Sequence, residues 1–230
     1  MSRIKVIAFD GDDTLWVNEP YYQETERQFC ELMNEYATPE QVSSALLKTE
    51  IQNMSLYGYG AKGFTLSMVE TAIKVSKDKV SAKTINVILE LGKELIDKPV
   101  ELLGDVKNIL TELKTRYTVV IATKGDLLDQ QRKLKKSGLE THFHHIEIMS
   151  DKTEADYQLL FKKLDISPAD FMMVGNSLKS DILPVIGLGG TAIYIPYHVT
   201  WQHETETVPA GHPNLIQVKK ISDIWGVLGN

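Results

Sequence analysis

Apolar residues follow two rhythms along this chain. Ile4-Lys5-Val6-Ile7-Ala8-Phe9 is short, rich in β-branched residues and almost continuous, which predicts a buried strand. From about Pro20 to Leu95 the apolar positions fall at helical spacing. Phe29, Leu32, Met33 and Tyr36 make one stripe, Val42, Leu46 and Leu47 a second. Val69, Ala72 and Ile73 make a third, and Ile85, Ile88, Leu89 and Leu95 a fourth. The pattern predicts four or five helices and no strand, with Thr38, ahead of Pro39, and Ser81 as helix caps. From Lys98 onward the rhythms alternate. Helices are expected within 99–116 and over 126–137, 154–164, 180–186 and 221–228, with Gly138 closing the second. Strands are expected over 117–122, 145–149, 170–174, 191–195 and 215–218. Alternating strands and helices imply an α/β fold with a mainly parallel sheet wound on both faces. The expected organisation is an α/β core of residues 1–16 and 96–230, with an all-helical insert at 17–95.

Polar clusters sit just past the apolar runs. Asp10-Gly11-Asp12-Asp13-Thr14 follows the first, Thr123-Lys124-Gly125 the second, Ser150-Asp151-Lys152 the third and Gly175-Asn176-Ser177 the fourth. Each alone could be loop polarity, and the first could be a solvated acidic turn. Together they point to an active site, because an open parallel sheet carries its crevice at the carboxyl ends of its strands. Residues i and i+2 of an extended segment point the same way, so Asp10 and Asp12 are expected to face one site about 6.5–7 Å apart, and Gly11 lets a ligand approach the backbone.

These clusters, with Asp181 beyond the fourth, assemble carboxylates, a hydroxyl and lysines. A carboxylate can attack phosphorus and form an aspartyl-phosphate. Repulsion between the two anions demands a cation and donors around the phosphoryl oxygens, and hard oxygen ligands suit Mg²⁺.

Bulk properties narrow the setting. The 230 residues accommodate one large domain or a core with an insert. A net charge of −6 argues against non-specific binding to nucleic acid or anionic membrane. The single cysteine, Cys30, cannot form an internal disulfide and falls on an amphipathic segment. A reducing cytoplasm and a core position for Cys30 are therefore expected. No apolar run is long enough to span a bilayer. The apolar start is cut by Asp10 and does not read as a signal peptide.

Asp10-Gly11-Asp12-Asp13-Thr14 resembles the DxDxT signature of the haloacid dehalogenase-like (HAD) hydrolases. Thr123 is similar to that family's second motif, a strand-end Ser or Thr that binds phosphate. Lys152 resembles the third, a lysine that neutralises phosphate and nucleophile, with Lys124 as its competitor for the role. The stretch from Gly175 to Asp181 resembles the fourth. The resemblance covers essentially the whole chain and implies a Rossmann-like core with a helical cap placed where the insert falls. It further implies a Mg²⁺-dependent phosphatase acting on a small phosphorylated metabolite. In that scheme Asp10 is the nucleophile and Asp12 the general acid/base. Thr123, Lys124 and Lys152 bind substrate, and Asp10, Asp12 (through its carbonyl), Asn176 and Asp181 bind metal. Asn176 departs from the acid common at its position and offers a carbonyl oxygen but no charge. Thr153 follows Lys152 where the family often has proline.

Other readings compete. A phosphomutase uses the same motifs, and a dehalogenase of this fold lacks the second acid, so Asp12 speaks against it. A signalling receiver module carries its phospho-acceptor after the third strand and has no helical insert. Gly58-Tyr59-Gly60-Ala61-Lys62-Gly63 matches GxGxxG, but a helix is expected before it where a dinucleotide site needs a strand. A turn that faces substrate, or a plain connector between helices, fits better. Gly175 to Ser180 lacks the second glycine of a P-loop. His142, His144 and His145 read as a strand-entry surface cluster. His198, Trp201, His203 and Glu204 follow the fifth strand and are candidates for the cleft rim. The sequence leaves oligomeric state and substrate identity open.

Overall fold

The computed structural model describes residues 4–229 apart from 200, 205 and 208–210. The chain divides into two units, one formed by Met1–Glu19 with Val100–Asn230 and the other by Pro20–Pro99. The divisions fall at 19/20 and 99/100, where the sequence pattern placed them at 16/17 and 95/96. The first difference has a local cause. Asp13 accepts hydrogen bonds from the backbone N–H groups of Asn18 (2.9 Å) and Glu19 (2.9 and 3.1 Å), which ties these residues to the loop after the first strand.

The α/β unit is a six-stranded sheet in the order β3-β2-β1-β4-β5-β6, with every neighbouring pair parallel. Its strands are β1 (Val6–Phe9), β2 (Thr118–Lys124), β3 (His145–Met149), β4 (Phe171–Gly175), β5 (Thr191–Tyr194) and β6 (Leu215–Gln217). Successive side chains alternate between faces. Ile7 and Phe9 join Val119, Ile121, Met172, Val174 and Ile193 in one core cluster, while Val6 and Ala8 join Val120, Ala122, Phe171, Met173 and Ala192 in the other. Helices cover both faces, which explains the near-continuous apolar runs and places Met172 and Met173 in opposite cores. The sheet's helices are α5 (Val106–Leu113), α6 (Leu127–Ser137), α7 (Glu154–Leu164), α8 (Leu183–Gly187) and α9 (Ile224–Leu228). Asp126 caps α6 by accepting from Asp129 N, and Gly138 ends it with φ +69°, a conformation glycine adopts without steric cost.

The helix expected at 180–186 is not a regular α-helix. Leu178–Ile182 is a π-helical turn whose Leu183 N–H reaches back to the Leu178 carbonyl, and α8 begins only afterwards. Pro184 lies in the first turn of α8 and has no N–H to continue α-helical bonding from the residues before it. The expected helix 221–228 likewise begins as a 3₁₀ turn, Ile221–Asp223.

The helical unit contains α2 (Pro39–Tyr57), α3 (Ala61–Val75) and α4 (Ala82–Asp97), and most of α1 (Glu19–Leu32). The Thr38 hydroxyl accepts from Gln41 N at 3.4 Å while the Gln41 side chain accepts from Thr38 N at 3.1 Å. This reciprocal pair satisfies two helix-start N–H groups. Ser81 caps α4 by accepting from Thr84 N at 3.0 Å. Phe29, Met33, Val42, Leu46, Met68, Ala72 and Ile88 form the core of this unit, and Cys30 lies among them. Burial pushes the Cys30 thiol up to about 11, the state of an unreactive packing residue. Gly58 and Gly60, both at positive φ, make the turn between α2 and α3, so a helix and not a strand precedes the GxGxxG stretch. Among the described residues no helix is long and apolar enough to cross a membrane.

Candidate active site

β1, β2, β3 and β4 all point their carboxyl ends the same way, so the segments after Phe9, Lys124, Met149 and Gly175 converge. Lys152 is buried, and its ammonium donates to Asp10 Oδ1 at 2.6 Å and Asp181 Oδ1 at 2.7 Å. The second oxygen of Asp181 accepts from Ser177 N at 3.0 Å. A Cβ on Gly175 would lie 2.2 Å from Asp181 Oδ2, so glycine is required where this acid packs against the end of β4.

Two carboxylates thus share one ammonium, leaving a buried excess of one negative charge. Burial and the like charge of Asp181 push Asp10 up, to about 7, against the opposing pull of Lys152. Burial favours a neutral Lys152, but the charges of Asp10 and Asp181 outweigh it and hold the ammonium protonated.

The two acids expected to face one site take different hydrogen-bond partners. Strand pairing stops at Phe9, and Asp13 turns the chain with φ +58°. Asp10 therefore meets Lys152, while the Asp12 carboxylate meets a different set of donors. Trp16 Nε1 lies 2.6 Å from its Oδ1, Gln130 Nε2 2.8 Å from its Oδ2, and Lys133 Nζ 2.9 and 3.1 Å from the two oxygens. Lys133 and Gln130 sit on α6, and the sequence pattern marked neither. Helix-face residues carry no strand-end signal, and a Lys and a Gln there read as ordinary solvated positions. Burial and the charge of Asp12 push Asp13 up to about 7.

The candidate phosphate donors separate into two environments. Thr123, next to last in β2, is almost fully buried, and its hydroxyl has no hydrogen-bond partner among the described residues. A buried, unpaired donor is costly and calls for a ligand. Of the two lysines, Lys152 stands on Asp10. Lys124 donates instead to Ser180 Oγ at 2.8 Å and Glu204 Oε1 at 2.6 Å.

The oxygen set for a cation can be tested on Asn176. One atom of its side-chain amide lies 3.1 Å from the Asp12 carbonyl oxygen, 3.2 Å from Asp10 Oδ2 and 3.1 Å from Thr14 Oγ1. With nitrogen in that position the amide donates to all three oxygens. With its oxygen there, it accepts from the Thr14 hydroxyl and faces the Asp12 carbonyl and Asp10 Oδ2, an arrangement that a cation satisfies. Together with the uncompensated negative charge, this donor set fits a hard divalent ion. One carboxylate, a backbone carbonyl and an amide make up the set, and no group of three or more His, Cys, Asp or Glu among the described residues could hold a metal.

The histidines lie away from this centre. His144 Nδ1 accepts from Val119 N at 2.9 Å, and His145 Nε2 pairs with Glu147 at 2.9 Å. Of the rim candidates, His203 and Glu204 are anchored to the loop after β4. Lys179 Nζ lies 2.8 Å from His203 Nε2, and Glu204 accepts from Ser177 and Ser180 as well as Lys124. The Trp201 and His203 rings pack at a tilt of 54° with centroids 5.0 Å apart, and His198 packs against Tyr197 at a tilt of 50°.

The profile of the haloacid dehalogenase-like hydrolases matches residues 4–189. The chain belongs to this family. It is 37% identical to a haloacid dehalogenase-like family hydrolase from Xanthomonas campestris, whose crystal structure superposes with a TM-score of 0.89 over 98% of this chain and 91% of that one. Glyceraldehyde 3-phosphate phosphatase of Pyrococcus furiosus is 26% identical, with 86% of this chain and 82% of that protein aligned. Human N-acylneuraminate-9-phosphatase is 22% identical over 79% of this chain and 78% of its own length. With these relatives the chain is a phosphatase-type enzyme of the HAD family. Dehalogenase structures at 14–17% identity share the fold alone.

Proposed function

We propose that this HAD hydrolase is a Mg²⁺-dependent phosphatase that removes phosphate from a small phosphorylated metabolite through an aspartyl-phosphate on Asp10. The observation that carries the reading is the pairing of Asp10 with Lys152, beside the unpartnered hydroxyl of Thr123. Asp10 attacks phosphorus through a carboxylate oxygen, and the ester P–O bond breaks as the new P–O bond forms. Asp12, entering the step as the carboxylic acid, gives its proton to the departing alkoxide, leaving a neutral alcohol. Asp12, now a carboxylate, takes a proton from the water that attacks the phosphoenzyme, which releases phosphate and regenerates Asp10. Thr123 donates to a phosphoryl oxygen, and Lys152 balances the charge of nucleophile and phosphate.

Mg²⁺ would be held by Asp10, the Asp12 carbonyl, Asn176 and Asp181, whose carboxylate also accepts from Lys152 and Ser177 N. The ion would neutralise part of the phosphoryl charge and so reduce its repulsion of Asp10. The helical unit, 17–95 by its sequence pattern, serves as the cap that selects substrate. The small phosphate esters named for the relatives support a small-molecule substrate, and the single reduced, buried Cys30 supports a cytoplasmic setting. Asp12 disfavours the dehalogenase alternative.

The direct test measures phosphate release from a panel of phosphorylated sugars, polyols and acids, with Mg²⁺ and with chelator. Hydrolysis that disappears on chelation and returns with Mg²⁺ is expected. Equal release with and without the metal would refute the metal assignment.

A further inference from the structure

Glu204 is bound by three donors, and each is the chain neighbour of a residue at the reaction centre. Lys124 follows Thr123, Ser177 follows Asn176, and Ser180 precedes Asp181. Lys124 Nζ lies 2.6 Å from Glu204 Oε1, and Ser180 Oγ lies 2.7 Å from Oε2, which also accepts from Ser177 Oγ. The carboxylate comes from the 3₁₀ turn Gln202–Glu204, beyond β5. Lys179 holds that turn from the same loop, donating to the His203 carbonyl oxygen at 3.2 Å.

An ammonium and two hydroxyls facing one point form an anion-binding set. Here the chain's own carboxylate fills it. Burial works to raise Glu204, but the charge of Lys124 and the hydrogen bonds from Lys124, Ser177 and Ser180 hold it down at about 2. These donors therefore favour the anionic form of Glu204. The side chains of Lys124 and Glu204 are 13% and 12% exposed, so the pair is largely but not wholly sealed from an incoming ligand.

We infer that Glu204 is a specificity-determining residue: by occupying the anion-binding set beside the phosphoryl pocket, it selects phosphate esters whose alcohol part is uncharged and rejects those with a second anionic group. The inference rests on the phosphatase reading of the same site. A substrate carboxylate arriving here meets a like charge and finds Lys124, Ser177 and Ser180 already engaged. An uncharged polyol meets no such repulsion. Specificity of this kind comes from a built-in repulsive element as much as from attraction.

Glu204→Gln keeps the side chain's size and an acceptor for Lys124 while removing the charge. The test compares kcat and KM of the parent and this variant, with Mg²⁺, on glycerol 3-phosphate, 3-phosphoglycerate and an aryl phosphate. The first two differ in the carboxylate. The parent should favour glycerol 3-phosphate by about tenfold or more in kcat/KM, and Glu204→Gln should narrow that ratio by about tenfold, mainly through a lower KM for 3-phosphoglycerate. A parent that prefers 3-phosphoglycerate would overturn the inference, and this arm needs no variant. Equal losses on both substrates in Glu204→Gln would also overturn it and leave Glu204 as a loop anchor. No turnover of any ester by the parent would sink the phosphatase reading, and this inference with it.

Discussion

Lys133 binds Asp12 and Asn18 with one ammonium, lying 2.9 Å from Asp12 Oδ1 and 2.7 Å from Asn18 Oδ1. The carboxylate assigned to proton transfer is thereby fixed to α6 and to the segment leaving the sheet. Trp16 and Gln130 complete its shell. These donors hold the Asp12 carboxylate in place.

Lys133→Met should therefore lower kcat by about 10²-fold, the scale of a displaced catalytic group, with little change in KM. The loss should be smaller for an aryl phosphate, whose leaving group needs no proton. Lys133→Arg should restore much of the rate, because a cation again reaches Asp12. Steady-state kinetics on an alkyl and an aryl phosphate check both points. An identical loss on the two substrates with no rescue by arginine would mean that Lys133 has only a structural role.

Thr123 allows function to be separated from stability. Its hydroxyl is buried without a partner, so Thr123→Val removes a desolvated donor and keeps the branched shape. Folding stability should stay level or rise by about 1 kcal/mol, while kcat/KM falls by about 10²-fold through loss of one donor to the phosphoryl oxygens. Thermal unfolding and steady-state kinetics on the same preparations read the two effects. A valine variant that lost stability and kept activity would place the hydroxyl outside the phosphate site.

Legibility differed with position in the fold. Asp10, Thr123, Lys152, Asn176 and Asp181 stood out because buried parallel strands read as apolar runs and the residues just past them gather at one edge of the sheet. Lys133, Gln130 and Trp16 gave no such signal, since their role appears only when α6 packs beside the loop after β1. The i, i+2 argument for Asp10 and Asp12 could not show their different partners, Lys152 for one and Trp16, Gln130 and Lys133 for the other. The sequence favoured Lys152 for the third motif and left Lys124 as its competitor. Glu204, about 80 residues further along the chain than Lys124, separates them by taking one. The π-helical turn after Ser177 was hidden because apolar spacing does not distinguish four-residue from five-residue bonding over a single turn.

A pH effect should appear in the helical unit. Burial, and then the nearby Glu26, push Glu50 up to about 8 from an ordinary value of 4.5. Between these values the folded protein binds a proton that the unfolded chain has released. Stability is therefore greatest, for this group, below about 4.5, and falls as pH rises to about 8. Glu50→Gln should flatten the fall and be the more stable protein at pH 9, by about 1–2 kcal/mol. Denaturant unfolding between pH 5 and pH 9 checks this. Parallel curves for parent and variant would show that Glu50 is ionised throughout.

The central claim is that Asp10 carries the phosphoryl group and Asp12 moves the protons. Asp12→Asn keeps the nucleophile but removes the base for the second half-reaction, slowing hydrolysis of the phosphoenzyme by about 10²–10⁴-fold. With an aryl phosphate as donor, acid-quenched mass spectrometry of this variant should find a phosphate adduct on the peptide containing Asp10. The Asp10→Asn protein should show neither adduct nor turnover. An adduct on a different residue, or turnover in Asp10→Asn at the parent's rate, would contradict the account.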